Sequence, residues 1–149
     1  WKVAPLLNVE NIPVLINVME NLPQNFDRLG ARLDQATLLA DAGVRFAFFS
    51  GSPYSETRSL SQAAGIAVAQ GLSWQQAIMA ITTGPAEIWG LKGLGRIEVG
   101  AIADLVIWDG DPLEVTSAPV TVLIDGARVD LETRQDALAK RYVELLNLK

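Results

Sequence analysis

Two apolar runs without alternation organise the first third of the chain: Ile12-Pro13-Val14-Leu15-Ile16-Asn17-Val18 and Val44-Arg45-Phe46-Ala47-Phe48-Phe49-Ser50. A strand covered on one face alternates apolar and polar positions, whereas a strand of a parallel sheet covered on both faces reads as a continuous run. Both runs therefore predict buried parallel strands, at 12–18 and 44–50. Between them Leu33, Ala36, Leu39 and Ala40 recur at helical spacing over 31–42, and Gly43 stands where a helix takes its C-terminal cap. Val3, Leu6 and Leu7 give residues 1–10 the look of a helix tail, and 19–30 reads as a loop. The order helix, strand, helix, strand is the rhythm of a βαβ unit.

Past the second run the period becomes helical. Leu60, Ala63, Ala64, Ala67 and Val68 make an apolar stripe that Gly71 stops. Ser73-Trp74-Gln75-Gln76 predicts a capping box ahead of a helix burying Trp74, Ala77, Ile78 and Ile81. Thr82-Thr83-Gly84-Pro85-Ala86 breaks and restarts the chain, with Pro85 expected at the first helical position and Gly90 at the end of a short helix. Ala103-Asp104-Leu105-Val106-Ile107-Trp108 then reads as a strand closed by the turn cluster Asp109-Gly110-Asp111-Pro112. Val120-Thr121-Val122-Leu123-Ile124 meets Asp125-Gly126 and returns through Ala127-Arg128-Val129, a hairpin signal because Asp-Gly tolerates the positive φ of a type I′ turn. Ala137, Leu138, Tyr142, Leu145 and Leu146 predict a closing helix over 133–146, with Thr133 and Asp136 as its start signal.

The segment Gly95-Arg96-Ile97-Glu98-Val99-Gly100-Ala101-Ile102-Ala103-Asp104-Leu105-Val106, with Asp109-Gly110-Asp111-Pro112-Leu113 and the later Ile124-Asp125-Gly126 hairpin, resembles the C-terminal end of the metal-dependent amidohydrolase superfamily. The likeness is nearest to its imidazolonepropionase-like and prolidase-like branch. That resemblance implies an α/β fold: the last two βα units of a TIM-like (β/α)8 barrel, followed by helices and part of a small β-sandwich, in a fragment of a longer chain. The barrel's seventh and eighth strands would then fall at 12–18 and 44–50. Domains are expected at 1–92 (barrel part and trailing helices), 93–129 (sandwich segment) and 130–149 (C-terminal helix). Where the family commonly shows Thr-x-Asn-Pro-Ala, this chain has Gly84 in place of the Asn. The sandwich motif identifies the family and carries none of its chemistry.

Composition narrows the chemistry. With 149 residues, 50% of them hydrophobic, the chain has the apolar side chains for a core. A net charge of −5 with 12 dispersed Lys and Arg argues against a nucleic-acid surface or an anionic membrane partner. The absence of cysteine excludes disulfides and thiolate chemistry, and leaves the compartment open between cytoplasm and periplasm. The absence of histidine weighs more, because most hydrolytic zinc sites and general-base arrangements rely on imidazole. Asp104, Asp109, Asp111 and Asp125 sit beside glycines and at strand ends, as turn formers and caps rather than calcium ligands. Trp74, Trp89 and Trp108 read as core and interface side chains.

Catalytic groups in barrels sit on the loops at the C-terminal ends of the strands. Here those ends supply Asn17, Glu20, Asn21 and Asp27 after the first, and Ser50, Gly51, Ser52, Tyr54, Ser55, Glu56 and Arg58 after the second. The resemblance implies that the eighth strand ends in an Asp that touches the metal and takes the proton of the attacking water. Gly51 occupies that position. Three readings follow: a shifted register in which Glu56 takes over, a branch with altered or lost metal chemistry, or machinery held wholly upstream. Asn17, Ser50, Ser52 and Arg58 are candidate substrate ligands; each has a plainer reading, Ser-Gly-Ser-Pro as a turn and Arg58 as a solvated residue or partner of Glu56. No metal ligand is assigned in this chain, and the resemblance implies a divalent metal, zinc foremost, only for the full-length protein.

The expected activity is hydrolysis of a C–N bond in an amide, cyclic amide or dipeptide by metal-activated water in the full-length protein, the isolated chain being inactive. The alternative is a catalytically silent relative with a binding or structural role. A small-molecule substrate is the expected partner of the full-length protein. The apolar faces left open by two lone strands are expected to be covered by a missing N-terminal segment or a second copy.

Overall fold

The computed structural model describes residues 1–50 and 59–147. Strands β1 (Val14–Ile16) and β2 (Phe46–Phe48) are neighbours and run parallel, in the register Val14 to Phe46, Leu15 to Ala47 and Ile16 to Phe48. Bonds from Val14 N–H to Arg45 O and from Phe49 N–H to Ile16 O, both 3.0 Å, extend the pairing past each end of β2. Both strands are shorter than the apolar runs predict. Pro13 has no N–H to give the ladder, and Asn17 Oδ1 accepts the Met19 N–H at 3.1 Å, turning the chain directly after β1. Nor is each strand covered on both faces: Ile16, Ala47 and Phe48 are buried, whereas Leu15 and Phe49 are 43% and 40% exposed.

Helix α1 (Ala4–Val9) precedes β1 and buries Ala4, leaving Val3 and Leu6 of the expected stripe exposed. Helix α2 (Gln35–Asp41) lies between the strands. It begins four residues later than its apolar spacing predicts, for a local reason. Arg32 Nε and Nη2 grip the Asp34 carboxylate at 2.7 and 2.6 Å, so the residue at the N-cap position gives its side chain to the arginine instead of the helix amides. The C-terminal end follows the sequence: Gly43 has φ +73°, its N–H bonds Ala40 O and the Val44 N–H bonds Leu39 O, the Schellman arrangement that only a residue tolerant of left-handed backbone closes cheaply.

Three helices follow: α3 (Leu60–Ala69), α4 (Trp74–Ile81) and α5 (Thr83–Ile88). Helix α3 buries Ala63, Ala64 and Ala67 and ends at Gly71. Helix α4 has the expected capping box, the Gln76 N–H donating to Ser73 Oγ at 3.2 Å while the Ser73 N–H donates to Gln76 Oε1 at 3.3 Å. Helix α5 starts two residues before the expected position. Pro85 is then its third residue, which costs nothing because that amide has no partner within the helix. The core joins Ile16, Val18, Leu39, Phe48, the alanines of α3 and α4, Leu72 and Leu113. No buried polar or charged side chain is found among the described residues.

A second sheet holds β3 (Leu105–Trp108), β4 (Pro119–Ile124) and β5 (Ala127–Arg128), all antiparallel, in that order. Asp125 (φ +49°) and Gly126 (φ +75°) turn β4 into β5 as the Asp-Gly pair predicts. Two close joins hold the segment after β3 to the helices: Gly65 of α3 leaves room only for the Leu113 carbonyl, and the Trp74 Nε1–H donates to both Asp111 carboxylate oxygens at 3.0 Å. Trp74 is thus half out of the core, 40% exposed, where the spacing had it buried; Trp89 at the end of α5 is exposed too, and Trp108 is half-buried. Helix α6 (Arg134–Asn147) closes the chain with the Thr133 hydroxyl and Asp136 carboxylate capping its start. Among the described residues no helix is long and apolar enough to cross a membrane.

Candidate functional site

The C-terminal ends of β1 and β2 open on a groove of about 720 Å³. Asn17 and Phe49, the residues that follow the two strands, contribute to its wall, and the loop after β1 brings Glu20, Asn21, Asp27 and Arg28 around it. The loop is shaped by its own polar side chains. Asn25 Oδ1 accepts the Arg28 N–H at 3.1 Å and caps a single 3-10 turn over Phe26–Arg28, while the Asn21 amide donates to the Arg32 carbonyl. From the other side Trp1 donates its indole N–H to Gly30 O at 2.7 Å. Cations flank that indole: the Arg32 guanidinium lies 5.1 Å and the Lys2 ammonium 5.6 Å from the ring centroid. The Arg32 hydrogen bond holds the Asp34 carboxyl below its ordinary range and raises the arginine's own pKa in turn.

Of the residues expected at the first strand end, Asn17, Glu20, Asn21 and Asp27 all line this groove. Ser50, two residues past the end of β2, is half-buried. Gly51, Ser52, Tyr54, Ser55, Glu56 and Arg58 lie outside the described residues. Sequence reasoning missed Trp1, Lys2, Arg28 and Gln35 as groove residues. The first two stand in what reads as a helix tail, and Arg28 had one usable signal, an Asn three positions ahead of it at a helix-turn start.

The four acidic turn residues behave as caps. Asp104 Oδ1 accepts the Asp125 N–H at 2.8 Å, Asp109 Oδ1 the Ala118 N–H at 2.8 Å, and Asp111 Oδ1 the Leu113 N–H at 2.9 Å. Among the described residues no three His, Cys, Asp or Glu side chains converge as metal ligands, and the chain has no His or Cys at any position. These residues do not fit a metal centre of their own. A smaller pocket of about 230 Å³ lies at the opposite, N-terminal end of β2, among Ala40, Val44, Phe46, Met79, Ala80 and Ile88. Its wall is mainly apolar and offers no arrangement of catalytic groups.

The profile of the amidohydrolase family, described as "Amidohydrolase family", matches residues 29–130. A protein named amidohydrolase tasK from Hapsidospora irregularis is 38% identical over 90 residues, which is 60% of this chain and 9% of that protein. Among solved structures, an amidohydrolase from Thermotoga maritima superposes with a TM-score of 0.80 at 28% identity, over 87% of this chain and 34% of its own. A prolidase complexed with N-methylphosphonate-L-proline superposes with a TM-score of 0.66 at 26% identity, over 88% of this chain and 38% of its own. The chain therefore spans about a third of the length of these solved relatives and less than a tenth of the one from Hapsidospora irregularis.

Proposed function

The chain belongs to the amidohydrolase family, and on that premise we propose that it is the C-terminal part of a hydrolase that cleaves a C–N bond in a small amide, cyclic amide or dipeptide with metal-activated water. In this reading β1 and β2 are the last two strands of a (β/α)8 barrel, and β3 to β5 belong to a small β-sandwich beside it. The observation that carries the reading is the placement of the polar groove. It opens at the C-terminal ends of two paired parallel strands, the side on which barrel enzymes keep their chemistry. In this reading the metal, zinc foremost, is held by residues outside this chain, which has no His or Cys and brings no three carboxylates together among its described residues.

What this chain supplies is substrate binding. Asn17 Oδ1 is engaged by the Met19 amide, which leaves its Nδ2–H groups to donate to a substrate carbonyl. By sequence position after β2, Ser50 is a further candidate for that role, as are Ser52 and Arg58, which lie outside the described residues. The likeness to a prolidase solved with N-methylphosphonate-L-proline supports a dipeptide among these substrate classes. A second reading, a catalytically silent relative that keeps the fold for binding, is favoured by Gly51, which stands where the family places its proton-accepting Asp and has no side chain for that task.

The test is an amine-release assay on the whole protein that carries these residues, against dipeptides, N-acyl amino acids and cyclic amides. Hydrolysis of at least one class, weakened through KM in Asn17→Ala, supports the enzyme. Binding of those compounds with no release from any of them supports the silent relative.

A further inference from the structure

Side chains alternate between the two faces of a strand. The Phe46 and Phe48 rings, with centroids 5.8 Å apart, share the face packed into the core, as do Ile16 and Val14 of the neighbouring strand. Leu15, Asn17, Ala47 and Phe49 therefore stand on the other face, and Ala47, although fully buried, takes no part in that core cluster. The pairing continues past β2, where the Phe49 N–H donates to Ile16 O at 3.0 Å. This sets Phe49 beside Asn17, one strand spacing of about 5 Å away.

A polar and an apolar side chain thus meet at the strand ends, and both line the groove. Asn17 keeps its Nδ2–H groups for a ligand, its Oδ1 being taken by the Met19 amide. Phe49 holds its ring out of the core, 40% exposed. The groove residues of the loop after β1, namely Glu20, Asn21, Asp27 and Arg28, are all polar, so Phe49 is the apolar contact next to Asn17.

We propose that Phe49 is a specificity-determining residue, its ring receiving the apolar side group of a ligand whose carbonyl accepts the Asn17 Nδ2–H. It selects ligands with an aliphatic or aromatic group close to that carbonyl over unsubstituted or polar ones. The inference rests on the hydrolase reading for the face at which substrate binds, and deepens it by naming the side group. An aromatic group gains most, since offset or edge-to-face packing on the ring adds to the apolar area covered.

Four uncharged probes test this on the whole protein: the N-acetyl amides of glycine, glutamine, leucine and phenylalanine. Their dissociation constants are read by NMR titration, and any amine release is followed separately. The phenylalanine probe is expected to bind about tenfold and the leucine probe about three- to fivefold more tightly than the glycine probe, with glutamine no tighter than glycine. In Phe49→Ala the phenylalanine-to-glycine ratio is expected to fall below about threefold, and Phe49→Leu should restore the leucine preference more fully than the phenylalanine one. Equal affinity for the four probes, or a preference undiminished in Phe49→Ala, overturns the proposal even where amine is released. The preference without any amine release upholds it while the hydrolase reading fails. Should Phe49→Ala not fold, a nuclear Overhauser contact between the probe's side group and the Phe49 ring decides, its absence overturning the proposal.

Discussion

Gly84 offers a quantitative check on how the helices sit against the parallel strands. A Cβ placed there would lie 2.9 Å from the Met79 carbonyl oxygen and 2.9 Å from the Phe46 carbonyl oxygen. Both obstacles are backbone, one at the end of α4 and one in β2, so no side-chain rotation relieves them. The substitution Gly84→Ala sets two effects against each other. Alanine favours a helix over glycine by about 1 kcal/mol, and overpacking a close join costs about 1–3 kcal/mol. With two clashes the second wins, for a net loss of about 1–2 kcal/mol. Gly84→Asn, which restores the residue type of the Thr-x-Asn-Pro-Ala pattern, is expected to lose more, because this backbone has closed over the space. Urea unfolding of the whole protein, followed by far-UV circular dichroism, should show the Gly84→Ala midpoint lowered by about 0.5–1 M. Gly30→Ala is the control, since a Cβ there meets nothing within 4 Å. A Gly84→Ala midpoint equal to or above that of the unsubstituted protein would refute the close join of α5 to β2.

Trp74→Phe removes the indole donor to Asp111 and is expected to lower the melting temperature by about 2–4 °C, given a loss near 1 kcal/mol for an exposed hydrogen bond to a carboxylate; Asp111→Asn, which keeps an acceptor, should lose less, and an unshifted Trp74→Phe would show that the join carries no stability. The Thr133 hydroxyl and amide hold the Asp136 carboxyl below its ordinary value of 3.8. A lowered folded-state pKa gives stability that is fully present above 3.8 and lost as pH falls through the lower folded value, so the helicity contributed by α6 should drop in that acid window and Asp136→Asn should abolish the dependence. The 149 residues by themselves, without histidine or cysteine, are expected to hold no stoichiometric zinc and to hydrolyse no dipeptide; metal analysis and an amine-release assay on the purified polypeptide check both, and zinc at one equivalent with turnover would contradict them.

The parallel pair was legible because apolar residues concentrate at 12–18 and 44–50, although the paired strands cover only Val14–Ile16 and Phe46–Phe48 and are not buried on both faces as the runs predict. The capping box at Ser73, the Asp125-Gly126 hairpin and the Gly43 stop were legible because each is a local bonding device with its own residue types. What misled were interactions between side chains distant from the periodic positions. Arg32 claims the Asp34 carboxylate and delays α2, a pairing that apolar spacing does not register. Trp74 counts as apolar in a helical stripe, yet its N–H draws it to Asp111, 37 positions along the chain. The groove was half legible. Strand-end logic finds Asn17, Glu20, Asn21 and Asp27, which lie directly after β1 or in the loop that follows it, whereas Lys2 lines the same groove from before α1, a placement only the fold creates.

The central claim is that the C-terminal ends of β1 and β2 form a wall of the substrate groove. It is tested most directly by a crystal structure of the whole protein soaked with an uncleaved dipeptide or cyclic-amide analogue. The account predicts ligand density in that groove, beside Asn17 and Phe49. Density at the opposite end of β2 instead, among Val44, Met79 and Ile88, would contradict it.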